Sequence, residues 1–193
     1  MIRIATTAAL LATAGTALAQ YEITFDIENE TQLPGQSTTV TMYAGFDPMF
    51  YAMAGVGTNL ITSVGSEGFS DAFVVAPMDG PGTSPGMPSA TGWDGIIAGQ
   101  LNFPATAGIY ADPTNPIAFW EATYTAPTDV ASPFDIDLST MTTRYDIYIS
   151  MDRSTSESRL AELVEGSGAI RVIPAPASAL VLALGAVALR RRR

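Results

Sequence analysis

Tyr21-Glu22-Ile23-Thr24-Phe25-Asp26-Ile27-Glu28 alternates apolar and polar side chains without a break. In an extended chain, successive side chains point to opposite faces. Tyr21, Ile23, Phe25 and Ile27 therefore share one side, and Glu22, Thr24, Asp26 and Glu28 the other. The pattern predicts a half-buried antiparallel strand. Leu33-Pro34-Gly35-Gln36 then reads as a turn. Ser37 to Ala44, rich in threonine and valine, reads as a second strand.

The rest of the chain repeats this style. Phe50 to Val56 and Asn59 to Val64 read as two strands split by Gly57, and Ala72 to Ala76 as a short one. From Pro77 to Gly92, four prolines and closely spaced glycines predict a long surface loop. Strand character returns at Ile96 to Phe103, Ile117 to Tyr124, Pro133 to Leu138, Arg144 to Ile149 and Ala169 to Ile173. Ser156 to Glu165 reads as one short helix or an irregular loop. Many short strands with turns between them and almost no helical period predict an all-β, antiparallel two-sheet sandwich with jelly-roll or immunoglobulin-like connections. The segment Leu33-Pro34-Gly35-Gln36-Ser37-Thr38-Thr39-Val40 resembles the opening of cohesin-like and related carbohydrate-binding sandwiches. That resemblance implies a binding module for carbohydrate or protein.

Composition narrows the chemistry. The 193 residues contain no cysteine and no histidine, so thiol nucleophiles, Ser-His-Asp triads, disulfides and histidine-bound zinc are excluded. All nineteen acidic residues lie between Gln20 and Ile173, where four arginines oppose them, leaving a segment charge of about −15. Such a surface repels nucleic acid. Asp135 and Asp137 share one face of a strand, where a carboxylate pair for glycosidase-type chemistry competes with an ordinary solvated face. With Phe134, Ile136 and Leu138 on the opposite side, the solvated face is favoured and no enzyme is expected. For calcium, the oxygen-rich candidates are Asp112 and Asn115 in one turn, with Asp79 and Asp94 bracketing the proline-glycine segment. Trp93, Tyr110, Tyr145 and Tyr148 are candidates for stacking on sugar rings, Trp93 more readily for packing, and Trp120 reads as core. Asn29-Glu30-Thr31 is a glycosylation sequon and indicates a surface position.

Both termini carry address signals. Met1-Ile2-Arg3-Ile4 followed by an apolar run and Ala17-Leu18-Ala19 reads as a signal peptide over 1–19, a helix cleaved before Gln20. At the other end stand Pro174-Ala175-Pro176, an apolar run from Ala179 to Leu189, and Arg190-Arg191-Arg192-Arg193. As a helix the run is short for a bilayer span, at about 1.5 Å per residue against roughly 30 Å. Pro-x-Pro, apolar helix and arginine cluster together resemble the PEP-CTERM sorting signal, with Ala175 in place of the usual acidic residue. The resemblance covers 174–193. It implies a membrane-embedded cysteine protease, exosortase, as partner, transient anchoring in the inner membrane, and a place at the cell surface or in extracellular polysaccharide. On this reading the middle domain, 20–173, has a structural or adhesive role in the extracellular matrix. The alternative is the cohesin-like binding module.

Overall fold

The alternating stretch forms β1 (Glu22–Ile27), with Ile23 buried and Thr24 and Asp26 exposed. The computed structural model describes residues 21–149 and 156–175. After β1 come β2 (Thr31–Gln32), β3 (Ser37–Gly45), β4 (Ala52–Thr62), β5 (Phe69–Val74), β6 (Ser84–Ser89) and β7 (Gly92–Gly99). A single helical turn, α1 (Pro104–Ala107), precedes β8 (Ile117–Thr125), β9 (Phe134–Tyr148), β10 (Ser158–Leu160) and β11 (Ser167–Val172). The fold is an all-β, two-sheet sandwich. The smaller sheet has the order β1-β3-β8-β5; the larger runs β2-β11-β9-β4-β7-β6, with β10 added beside β9. The pairings are antiparallel except that of β2 with β11.

The turn after β2 forms as its residues dictate. Gly35 adopts φ 74°, and Gln36 N–H donates to Leu33 O at 3.0 Å. β3 then pairs with β1 from Glu22↔Gly45 to Ile27↔Val40.

Between the sheets, Val40, Met42 and Ala44 of β3 and Trp120, Ala122 and Tyr124 of β8 meet the other wall. That wall is Val56 and Leu60 of β4, Trp93 and Ile96 of β7, Ile136 and Leu138 of β9, and Ile170 of β11. Burial of this apolar surface is the main driving force of such a fold. Two polar ties lace the walls together. Trp120 Nε1–H donates to Pro85 O at 3.0 Å, joining β8 to β6. The Tyr145 hydroxyl of β9 lies 2.6 Å from Gly45 O and 3.0 Å from Glu22 O on the smaller sheet.

Several expectations are corrected. β4 is one continuous strand. Its ladder shifts register between Met53 and Gly55 and between Gly57 and Thr58, so the glycines are absorbed as bulges and do not end it. β9 is likewise one strand where two were expected. The segment Pro77 to Gly92 contains β6, whose Pro85 and Pro88 sit on the sheet edge, where half of the backbone N–H groups need no partner strand. Gly92, at φ 143°, lets the β6–β7 turn pass over β4; a Cβ there would drive into the Leu60 carbonyl. Ser156 to Glu165 forms the short strand β10 and then irregular chain.

The signal helix of 1–19, its cleavage site at Ala17, Ala19 and Gln20, and the apolar helix with Arg190 to Arg193 lie outside the described residues. No helix among the described residues is long and apolar enough to cross a membrane.

Candidate functional site

The two outer faces of the sandwich differ sharply. On the smaller sheet the outward rows are Thr24 and Asp26 of β1, Thr39 and Thr41 of β3, and Glu121 and Thr123 of β8. Phe73 on edge strand β5 is the large apolar residue exposed there among the described residues.

The larger sheet presents an aliphatic surface instead. Register fixes its rows. Met87 of β6 stands opposite Asp94 of β7, Gly95 N–H donates to Asn59 Oδ1 of β4 at 2.8 Å, and Asn59 stands opposite Met141 of β9. These side chains lie outward because their strand neighbours Trp93, Ile96, Thr58, Thr140 and Thr142 are buried. In the next row Ile97 of β7 faces Gly57 of β4, which faces Arg144 of β9. Met87 is 72%, Ile97 49% and Met141 47% exposed, unusual values for large apolar side chains on regular strands.

Beside Ile97 the face sinks into a depression of about 370 Å³, lined by Gly55, Gly57, Gly99, Thr143, Arg144 and Asp146 among others. It exists because three strand positions carry no side chain; a Cβ on Gly57 would approach Arg144 Cβ at 3.2 Å, and one on Gly55 the Ala98 carbonyl at 3.2 Å. Arg144 and Asp146 form a close ion pair at its rim. Asp146 is buried, while the Arg144 side chain is two-thirds exposed, so the guanidinium keeps donors free for a ligand while neutralising the carboxylate beneath it. Asp135 and Asp137 lie on the same outward face of β9, and Asp135 pairs with Arg171 across the ladder at 3.7 Å. The expected apolar side of that strand is inward, with Ile136 and Leu138 buried.

The remaining candidates from the sequence scatter. Trp93 and Trp120 are both buried and pack edge-to-face with centroids 6.3 Å apart, so neither is available for stacking on a ligand. Tyr145 is interior, and Tyr148 is buried with its hydroxyl donating to Gln100 O at 2.8 Å. Tyr110 is half exposed on the β7–β8 connection. Asp112 and Asn115 share their turn, but their polar atoms are engaged locally. Asp112 Oδ1 accepts from the Thr114 hydroxyl at 2.5 Å and from Thr114 N–H at 2.8 Å, which lowers its pKa below the ordinary carboxylate value. Asn115 clamps the Phe46 backbone with both ends of its amide. Asp79 and Asp94 are exposed at separate places on the larger sheet, by Gly99 and opposite Met87 respectively. No group of three or more acidic side chains suited to a metal ion occurs among the described residues. Asn29 is exposed at the β1–β2 turn, as its sequon suggested. Of the sorting motif, Pro174 and Ala175 are described; Ile173 N–H donates to Gln32 O at 2.9 Å, so the strand ladder runs right up to Pro174.

No protein-family model and no curated protein matches the chain. Solved structures do. The seventh ScaB type I cohesin from Pseudobacteroides cellulosolvens superposes with a TM-score of 0.52 at 13% identity, over 81% of this chain and 94% of that one. The cohesin module from a Clostridium perfringens family 33 glycoside hydrolase gives 0.50 at 9% identity, over 82% and 100%. The fold is that of a cohesin module. The resemblance carried by Leu33 to Val40 is thereby supported for the fold. Sequence reasoning missed the cohesin-fold face of β6, β7, β4 and β9 because Met87 lay in a presumed loop. Its legible signal was glycine at Gly55, Gly57 and Gly99, which weakens a strand and marks close approach.

Proposed function

We propose that this domain is a cohesin-like module that binds a protein partner on the outer face of β6-β7-β4-β9. The observation that carries the reading is the exposure of Met87, Ile97 and Met141 on one regular sheet face beside a glycine-floored depression. Aliphatic Met87, Ile97 and Met141 set around Asp94 and Asn59, with Thr143 and Arg144 beside them, give the mixed apolar and polar surface of a protein interface. A sugar-binding platform needs exposed aromatic rings; on this sheet Trp93 and Tyr145 are turned inward, and Tyr148 is buried against Ala52 and Ala111. The partner surface therefore offers aliphatic side chains to Met87, Ile97 and Met141 and basic ones to Asp94, Asp135 and Asp137. Binding, with no catalytic step, is the role assigned.

The setting is the second part of the reading. The signal peptide, the Pro174-Ala175-Pro176 motif, the apolar run and the terminal arginines support export, transient anchoring in the inner membrane, and processing by an exosortase-type protease at the cell surface. A structural role in extracellular matrix or polysaccharide is compatible with this route; the aliphatic face favours a specific protein contact.

The test is saturable binding. The protein, its Ile97→Asp/Met141→Asp variant and a Thr41→Asp control on the opposite sheet are titrated against exported proteins of the source cells and against a glycan array. The expected result is a one-to-one protein partner lost with the double variant and kept with the control. Glycan binding without a protein partner, or equal binding by all three forms, overturns the reading.

A further inference from the structure

We propose that Met87 and Met141 are sites of oxidation by peroxide, and that their sulfoxides convert the aliphatic face of the larger sheet into a polar one. The chain has eight methionines and no cysteine, so thioether sulfur is its only oxidisable sulfur. The fold sorts the six methionines among the described residues into two groups. Met42, Met53 and Met78 are 0% exposed and lie in the core. Met87 and Met141 stand in one outward row, at either side of the Asp94–Asn59 pair, and Met49 is exposed on the β3–β4 loop away from the ladder. Oxidation follows access, so the outward sulfurs react first.

The step balances simply. The peroxide O–O bond breaks, an S–O bond forms, the sulfur loses two electrons, and the peroxide leaves as water or alcohol. The product is a polar, chiral group in place of a flexible apolar one. β6 and β9 are separated by β7 and β4, so the two sulfoxides stand about 14 Å apart at strand spacing. They bracket the centre of the face, and little aliphatic surface remains beyond Ile97. As a switch on partner binding, the inference rests on the function proposed above; the chemical selectivity does not.

The experiment treats the full-length protein and its Met87→Leu/Met141→Leu variant with hydrogen peroxide. Peptide mass mapping, retention on a phenyl column and binding of the partner are then measured. Expected in the wild type is oxidation at Met87 and Met141 at least about tenfold ahead of Met42, Met53 and Met78. Retention should shorten, and partner binding should fall. The variant still oxidises at Met49, yet its retention does not change on treatment. Equal oxidation of core and surface methionines in protein that keeps its circular dichroism overturns the inference, and so does a retention change as large in the variant as in the wild type. An untreated protein with no partner defeats the binding reading alone, because mapping and retention need no partner.

Discussion

Tyr145→Phe removes one oxygen from the middle of the sandwich and tests how the two sheets are joined. The Tyr145 ring is fully buried, and its hydroxyl sits within reach of Gly45 O and Glu22 O, the end pair of the β1–β3 ladder. The ring survives the substitution, so apolar burial hardly changes. What disappears is a buried donor shared by two carbonyls, leaving at least one acceptor short of a partner. Such a loss costs about 1–3 kcal/mol. In a domain of this size that lowers Tm by roughly 2–4 °C per kcal/mol. Urea unfolding followed by fluorescence of the buried Trp93 and Trp120 reads it directly. A second arm uses pH. Burial, and then the Glu22 charge, push the Tyr145 hydroxyl well above its ordinary value of 10.0. The folded state therefore keeps this proton where the unfolded chain loses it. The contribution is whole below the unfolded value and is lost as pH rises through the folded one. The gap between wild type and Tyr145→Phe should accordingly narrow from about pH 10 upward. A loss below about 0.5 kcal/mol at neutral pH, or a gap as wide at pH 11 as at pH 8, refutes the account.

Tyr124, pushed up to about 12 by burial and then by Glu67, obeys the same sign. Tyr124→Phe should flatten the alkaline fall in Tm between about pH 10 and 12, and an unchanged profile removes Tyr124 from the explanation. Gly92→Ala combines φ 143° with a clash at the Leu60 carbonyl and should cost on the order of 3 kcal/mol in denaturant melts, against about 1 kcal/mol for Gly82→Ala, which carries the strain of φ 84° but whose Cβ meets nothing within 4 Å. With Asp112 and Asn115 engaged by Thr114 and Phe46, calcium and chelator should leave Tm alike; a calcium-dependent rise would show that these side chains release their present partners. Replacing Arg190 to Arg193 with serine should send uncut protein into the medium, since each arginine costs roughly 2.5–3.5 kcal/mol at the centre of a membrane helix. Pro174→Ala/Pro176→Ala should instead leave it uncut in the membrane fraction, and normal processing of both variants defeats the sorting reading.

Strict alternation in Tyr21 to Glu28 was enough to place a strand and its two faces, because side-chain direction along a strand is a local property of the backbone. The Pro34-Gly35 turn, the core positions of Ile136, Leu138 and Trp120, and the absence of thiol and imidazole chemistry were legible for the same reason: each depends on a few adjacent residues or on composition. What the sequence could not decide is whatever depends on a neighbouring strand. Gly57 looked like a break, yet the β4 ladder bulges around it because β7 and β9 hold the strand from both sides. Pro85 and Pro88 looked incompatible with a strand, yet β6 lies at a sheet edge and needs its backbone bonded on one side only. Tyr145 and Tyr148 looked available to a ligand, yet the pairing of β9 turns Tyr145 into the core, and packing against Ala52 and Ala111 covers Tyr148. Beyond the glycines Gly55, Gly57 and Gly99, the aliphatic face has no counterpart in the linear pattern. Met87 and Ile97 come from the β6–β7 hairpin and Met141 from β9, far along the chain, and register between strands sets them on one surface.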